Sequence, residues 1–319
     1  MIRLSIIIPF YNVEKYIAQC LDSVYHQDVP EEEYEVICVD DASPDHSRDI
    51  VLEYQKQHKN LVLIEHEQNK KLGAARNTGR SIARGKYIWN VDSDDYIKKN
   101  CLAAILEKCE KNNLDILMFN LASDTEGVNN TVDFPFCVSD TPQEGITCLN
   151  QNISEIGRFC PVWRYIYRRD FLDANKVYSP EINMGEDVPY AFKSLLLAKK
   201  ILLVNEVYYH YRINPASLTG VSTLKPIVLY EKCFVAARLV YDVMQYIPKQ
   251  YVGLIKAFRN MVLYIVQMYP DYMAKMSEAD KKIFSRLCRQ HLVDDRCLWK
   301  LMGRRYKMEY IKCLLKSYF

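Results

Sequence analysis

The sequence predicts an α/β fold, a mostly parallel central sheet flanked by helices and followed by a helical C-terminal region. Three observations predict it. Over residues 1–120, short continuous apolar runs alternate with helix-spaced segments, as expected of strands buried on both faces and joined by crossover helices. Between 121 and 160 the pattern blurs, and beyond it the Tyr-rich runs Val162–Tyr167 and Val207–Arg212 read as strands. From 224 onward apolar residues recur at three- and four-residue steps, the spacing of helices with one buried face.

In chain order, Leu4–Pro9 is a short β-rich run and Glu14–Gln27 has helical spacing. Tyr34–Val39 is apolar and short again, and Asp45–His58 is helical with Asp45 placed to cap it. Leu61–Glu65 reads as strand, Gly73–Ala83 as helix, Tyr87–Val91 as strand, Asn100–Lys111 as helix and Asp115–Asn120 as strand. Leu254–Met268 and Arg296–Tyr318 are the clearest of the late helices. A boundary is expected near residue 222, with no repeat and no low-complexity linker.

Composition excludes several classes. Of 319 residues, 49% are apolar and 26% charged, so the chain is neither disordered nor fibrous. The eleven cysteines are odd in number, irregular in spacing and contain no C-x-x-C. No leader-like run precedes the first strand, so they are read as reduced core thiols of a cytoplasmic protein, not as disulfides or zinc ligands. The net charge of +2 conceals an asymmetry: −6 over 1–95, −2 over 96–223 and +10 over 224–319.

The strongest functional signal is where carboxylates fall. The second predicted strand ends in Asp40-Asp41, the fourth in Asp92-Ser93-Asp94-Asp95, and Glu186-Asp187 follows Gly185. Like charges crowded at a strand end repel, unless water screens them or a cation holds them. Asp-x-Asp supplies hard oxygen ligands suited to Mg²⁺ or Mn²⁺ shared with substrate phosphates. Parallel sheets bind ligands at the carboxyl ends of their strands, where Tyr11 and Asn12 suit stacking on and hydrogen-bonding a flat base. Neither G-x-G-x-x-G nor a P-loop occurs, so diphosphate charge falls to metal and to cations such as Arg76 and Arg212.

Five ordered blocks carry a family resemblance: Ser5–Asn12, Val39–Asp45, Gly73–Gly79, Gly85–Ile88 and Asp92–Asp95, with Trp163–Arg169 and Gly185–Val188 further on. Across residues 3–220 the chain resembles family two glycosyltransferases of the GT-A fold, of the surface polysaccharide type. The resemblance implies a catalytic domain over 1–222, divided into a nucleotide-sugar half (1–120) and an acceptor half (121–222), followed by the helical region 223–319. It implies inverting transfer of a sugar from a UDP-sugar to a glycan or lipid-linked acceptor. Position by position, Pro9, Tyr11, Asn12 and Asp41 would hold the uridine, with Asn69 and Arg76 nearby. Asp92, Ser93 and Asp94 would be the metal-binding D-x-D motif for Mn²⁺ or Mg²⁺, with His210 and Arg212 as late metal or diphosphate groups. Asp187 would be the general base, Glu186 an acceptor or orienting group and Trp163 an acceptor platform. Simpler readings stand beside these: Asp187 as a helix cap, His210 as a hydrogen-bonded strand residue, Trp163 as core.

Three other functions compete. A sugar nucleotidyltransferase would want a Gly-rich basic loop after the first strand, where this chain has Tyr11-Asn-Val-Glu14. A receiver-like signalling domain is suggested by Asp40-Asp41 alone, and a catalytically silent nucleotide-sugar-binding protein would not need the intact acids. Arg296–Phe319 carries seven Lys/Arg and one acid among Leu298, Trp299, Leu301 and Ile311, which suits a peripheral helix on an anionic membrane surface or packing against another subunit. No nucleic-acid partner and no membrane span are expected.

Overall fold

The computed structural model describes residues 1–125, 128–132, 136–213, 225–267, 274–290, 298 and 307. Every residue of β1 (Leu4–Phe10) and β2 (Tyr34–Asp40) is buried, as the unbroken apolar runs require of strands covered on both faces. With β3 (Leu61–Glu65) and β4 (Tyr87–Asn90) they form a parallel unit in the order β3-β2-β1-β4. The chain leaves β1 toward β2 on one side and returns to β4 on the other, so the sheet switches direction of growth between β1 and β4. Their ladder ends at Ile7–Asn90, whereas β1 stays paired with β2 as far as Phe10–Asp40. Pro9, which has no N–H to donate, sits in the stretch that has no β4 partner.

Beyond β4 the sheet continues through β8 (Tyr165–Arg168), β6 (Ile116–Thr125), β9 (Ile201–Arg212) and β5 (Tyr96–Ile97), with β7 (Val128–Val132) paired to β6. β8, β5 and β7 run antiparallel to their neighbours, while β6 and β9 are parallel. Helices α1 (Ile17–Tyr25), α2 (Ser47–Gln57), α3 (Leu72–Ile82) and α4 (Leu102–Lys111) are the crossovers of the first half. α5 (Gly145–Gln151), α6 (Arg169–Ala174) and α7 (Asp187–Leu197) belong to the second.

Three local expectations are corrected. Asp45 is not the cap of α2. His46 takes that position, and Asp45 from one place earlier accepts the Ser47 N–H at 3.2 Å and the Glu14 N–H at 2.9 Å. The run from Val162 begins as a 3₁₀ turn over Val162–Arg164, following Pro161, before β8 starts at Tyr165. β9 is six residues longer than its Tyr-rich part, because Ile201–Leu203 pair with Ile116–Met118 through an irregular register near Asn120.

Past the undescribed residues 214–224, where the boundary was expected, the chain is helical. α8 (Pro226–Tyr230) passes through a π turn, Glu231–Val235, into α9 (Ala236–Val243), followed by α10 (Val252–Gln267) and the helix Glu278–Gln290. Leu229, Phe234, Phe258 and Phe284 share one core cluster with Ile7, Val39, Tyr165 and Phe192. Glu231 of the π turn accepts the Asn183 backbone N–H at 2.6 Å, fastening these helices to the segment before Gly185. All nine described cysteines are free thiols, and only Cys137 is exposed. No described helix is long and apolar enough to cross a membrane. Apart from residues 298 and 307, the expected helix Arg296–Tyr318 lies outside the described residues.

Candidate functional site

The carboxyl ends of β1, β2 and β4 surround the gap where β1 and β4 part. Around this rim the backbone takes turns that ordinary residues resist: Asn12 (φ 57°) after β1, Ala42 (φ 61°) after β2 and Lys71 (φ 79°) at the head of α3 all have positive φ. Outliers gathered at one rim mark a place where other contacts over-determine the chain.

The Gly73–Gly79 block becomes legible as geometry. A Cβ on Gly73 would lie 2.0 Å from the Pro180 carbonyl oxygen, so glycine allows α3 to press on the 179–180 segment. Asn77 then clamps that segment reciprocally. Its Nδ2 donates to the Ser179 carbonyl at 2.8 Å and its Oδ1 accepts the Ser179 N–H at 2.9 Å. A Cβ on Gly79 would meet Ile7 at 2.5 Å, which fixes the other end of the helix on the sheet. Between these contacts Arg76 is aimed at the acids.

The Arg76 side chain is 2% exposed. Its Nη2 donates to Asp92 Oδ1 at 2.8 Å, and its Nη1 donates to Glu186 Oε1 at 3.0 Å and Asp187 Oδ1 at 2.5 Å. Its Nε is buried without a hydrogen-bond partner. Gly185, at φ +90°, makes the turn that delivers Glu186 and Asp187 to the head of α7. One guanidinium thus gathers acids 16, 110 and 111 residues away. Burial, opposed by Arg76 and reinforced by Glu186, leaves Asp187 raised to about 7. The side chain is still 25% exposed, so water screens part of that push. Asp92 is raised for the same leading reason.

The Asp92–Asp95 turn is braced from β9. Tyr209 donates its hydroxyl to Asp95 Oδ2 at 2.7 Å and accepts the Asp92 N–H at 3.2 Å, while the Arg212 N–H bonds Asp95 Oδ1 at 2.7 Å. Asp95 is therefore structural, and burial followed by Asp94 and Asp92 holds it well above the ordinary carboxylate range. Ser93 is buried in the same turn and Asp94 is half-buried.

At the end of β2, Asp41 is 4% exposed and accepts the Lys70 and Lys71 N–H groups at 2.7 and 2.9 Å. His66, just after β3, stands 2.7 Å from the same carboxylate. Tyr11 is 47% exposed beside this rim. Asn12 gives its N–H to Ser43 Oγ at 3.3 Å, and Asn69 accepts the Lys71 Nζ at 3.2 Å.

Two expected site residues are engaged with aromatic rings. Trp163 is 6% exposed, its ring stacked on Tyr209 at 4.3 Å. His210 alternates with Tyr209 along β9 and stacks on Tyr96 at 4.6 Å, with burial lowering its pKa. Among the described residues no three His, Cys, Asp or Glu side chains converge as a cation site, so Asp92, Asp94 and His210 do not form one ligand set. The Arg212 guanidinium lies over Tyr16 and reaches Gln19 at 2.5 Å. His66, Tyr209 and the Lys70 and Lys71 amides have no signature in the sequence. They act through backbone groups, one hydroxyl among many tyrosines and a lone imidazole.

A divalent cation fits this donor set in one form. Asp92 and Asp94 offer hard oxygens on one turn, and Mg²⁺ or Mn²⁺ takes one or two carboxylates when phosphates and water complete its shell. A preformed cage of protein ligands does not fit.

Residues 5–169 match the family model described as "Glycosyl transferase family 2". The chain is 35% identical over 221 residues to the Bacillus subtilis glycosyltransferase EpsJ, covering 68% of this chain and 63% of that protein. It is 34% identical over 213 residues to the Staphylococcus aureus poly(ribitol-phosphate) beta-N-acetylglucosaminyltransferase TarS, covering 66% of this chain and 35% of that one. The chain therefore matches less than two thirds of the length of these relatives. The crystal structure of S. aureus TarS 1–349 in complex with UDP-GlcNAc superposes with a TM-score of 0.70 at 24% identity, covering 93% of this chain and 88% of that one, which shows the fold.

Proposed function

The chain belongs to glycosyltransferase family 2, and from that premise we propose that it moves a sugar from a UDP-sugar to a hydroxyl of a glycan or lipid-linked acceptor, with inversion. The reading places it in surface polysaccharide synthesis, as a peripheral protein on the cytoplasmic side of a membrane. The observation that carries it is Arg76, which joins the strand-end acid Asp92 to the helix-end pair Glu186 and Asp187 in one buried cluster. Inversion at an anomeric carbon needs a group at the leaving diphosphate and a separate group for the incoming proton. This cluster supplies both within one guanidinium's span.

In this reading Asp187 accepts the acceptor hydroxyl's proton as the new bond forms. Its raised pKa suits that task, since a base works best when its pKa lies near the working pH. Arg76 holds Asp187 in place, and Glu186 orients the acceptor. Asp94 and Asp92 would hold Mg²⁺ or Mn²⁺, which when bound offsets the charge gathering on the leaving diphosphate. His210 is left out of that set. Asp41 takes the uracil N3–H, Tyr11 covers the base, and Asn12 and Asn69 line the same rim. The UDP-GlcNAc held by TarS supports the uridine. The basic C-terminal helices face an anionic membrane in this account, supported by exposed Lys256, Arg259 and Arg286 and the +10 charge over 224–319.

A panel of nucleotide sugars assayed for nucleotide release with Mn²⁺, Mg²⁺ or chelator tests the proposal. Metal-dependent release of UDP from a UDP-sugar is expected. Release from no UDP-sugar under any of these conditions overturns it.

A further inference from the structure

Asp41 is more heavily engaged than a base-recognition group need be. Oδ1 accepts the Lys70 N–H and lies 2.7 Å from His66 Nδ1, and Oδ2 accepts the Lys71 N–H. The other ring nitrogen of His66, Nε2, is 2.9 Å from Thr78 Oγ1 on α3, and His66 is 8% exposed. A carboxylate has about four lone-pair sites, so these three bonds leave one. The network requires a donor at Nδ1. Nε2 then accepts from the Thr78 hydroxyl, or donates to it if the ring is charged, because a hydroxyl can do either.

The captured amides explain the strain beside them. Lys71 has φ 79° and ψ 160°, a region nearly confined to glycine, and Ala42, next to Asp41, is left-handed. Lys71 is also the residue that opens α3, the helix carrying Thr78 and Arg76. The carboxylate, the ring, the hydroxyl and the strained turn therefore form one closed circuit, and its outcome is the direction of the remaining lone pair.

We infer that His66, backed by Thr78, is a positioning residue for nucleotide recognition. It aims the last lone pair of Asp41 at the uracil N3–H and so sets a preference for uracil over cytosine, whose N3 bears no hydrogen. This rests on the UDP-sugar reading and adds to it the group that sets base selectivity.

The test is calorimetric affinity for UDP and for CDP, with Mn²⁺, on the full chain and on His66→Phe, His66→Asn and Thr78→Val, alongside melting temperatures. His66→Phe is expected to weaken UDP about tenfold, the scale of one hydrogen bond to a charged group. CDP should stay within about twofold, so the preference shrinks by the same factor. His66→Asn restores a donor near the Nδ1 position and recovers most of the loss. Thr78→Val leaves the ring in place and gives a smaller loss of the same sign, which keeps the inference testable if His66→Phe does not fold. Equal losses for UDP and CDP mean a merely structural role and overturn the inference, as does unchanged UDP affinity in both His66→Phe and Thr78→Val. A native chain that binds no UDP overturns the donor reading as well.

Discussion

Two strand ends on one edge of the sheet solve opposite electrostatic problems. At the end of β2 a single carboxylate, Asp41, meets three N–H donors and is nearly satisfied within the protein. At the end of β4 three carboxylates, Asp92, Glu186 and Asp187, share one guanidinium. The first arrangement has all but one acceptor site filled by the protein's own donors and sits between two strained backbone turns. The second carries surplus negative charge, and its acids show it. Asp187 and Asp92 are raised chiefly by burial, and each is raised further by a neighbouring acid. The difference teaches where an incoming cation would matter. A base can be received by a finished pocket, whereas a diphosphate can be received only with added positive charge.

Arg76→Met breaks the contrast most severely. It leaves three acids with no cation, and breaking a buried ion cluster costs about 3–5 kcal/mol, to be read as a large fall in melting temperature. A melting temperature close to that of the native chain would show the acids to be solvated already. Asp187→Asn sharpens the contrast by removing a proton acceptor while keeping shape. The transfer rate is expected to fall by about 10²-fold or more with donor affinity nearly unchanged. Donor affinity lost in parallel would assign Asp187 to binding instead.

The pH dependence follows from the direction of one shift. As the base of the proposed transfer Asp187 would act deprotonated, and its pKa is raised, so kcat/KM should climb about tenfold per pH unit below that pKa and level off near neutrality. A profile already flat from the ordinary carboxylate range upward would contradict a raised base. The smallest effect belongs to the rigid end. Lys71→Gly relieves a backbone strain and should raise stability by about 1 kcal/mol, measured by denaturant unfolding. Destabilisation would mean that the lysine side chain, not the turn, holds the loop.

Much of this was visible beforehand where local pattern and tertiary outcome coincide. β1 to β4 and their helices were legible because continuous apolar runs have few other solutions in a sheet covered on both faces. The strand-end acids were legible because charge at those positions is costly. The surroundings of His210 were not, since face and burial along β9 depend on an irregular register at Asn120 that no periodicity announces. His66 was invisible for another reason. It works through Asp41, and a lone histidine after a strand has no signature until β2, β3 and α3 are brought together. The basic stretch Arg296–Phe319 lies outside the described residues, apart from Leu298 and Lys307, and stays a statement about charge.

The claim that one strand end is nearly satisfied within the protein and the other calls for a cation can be measured directly. Uridine and UDP are titrated into the native chain by calorimetry, each with Mn²⁺ and with chelator. The account predicts that Mn²⁺ strengthens UDP binding by about tenfold or more and leaves uridine unchanged. Equal UDP affinity with and without the cation would contradict it.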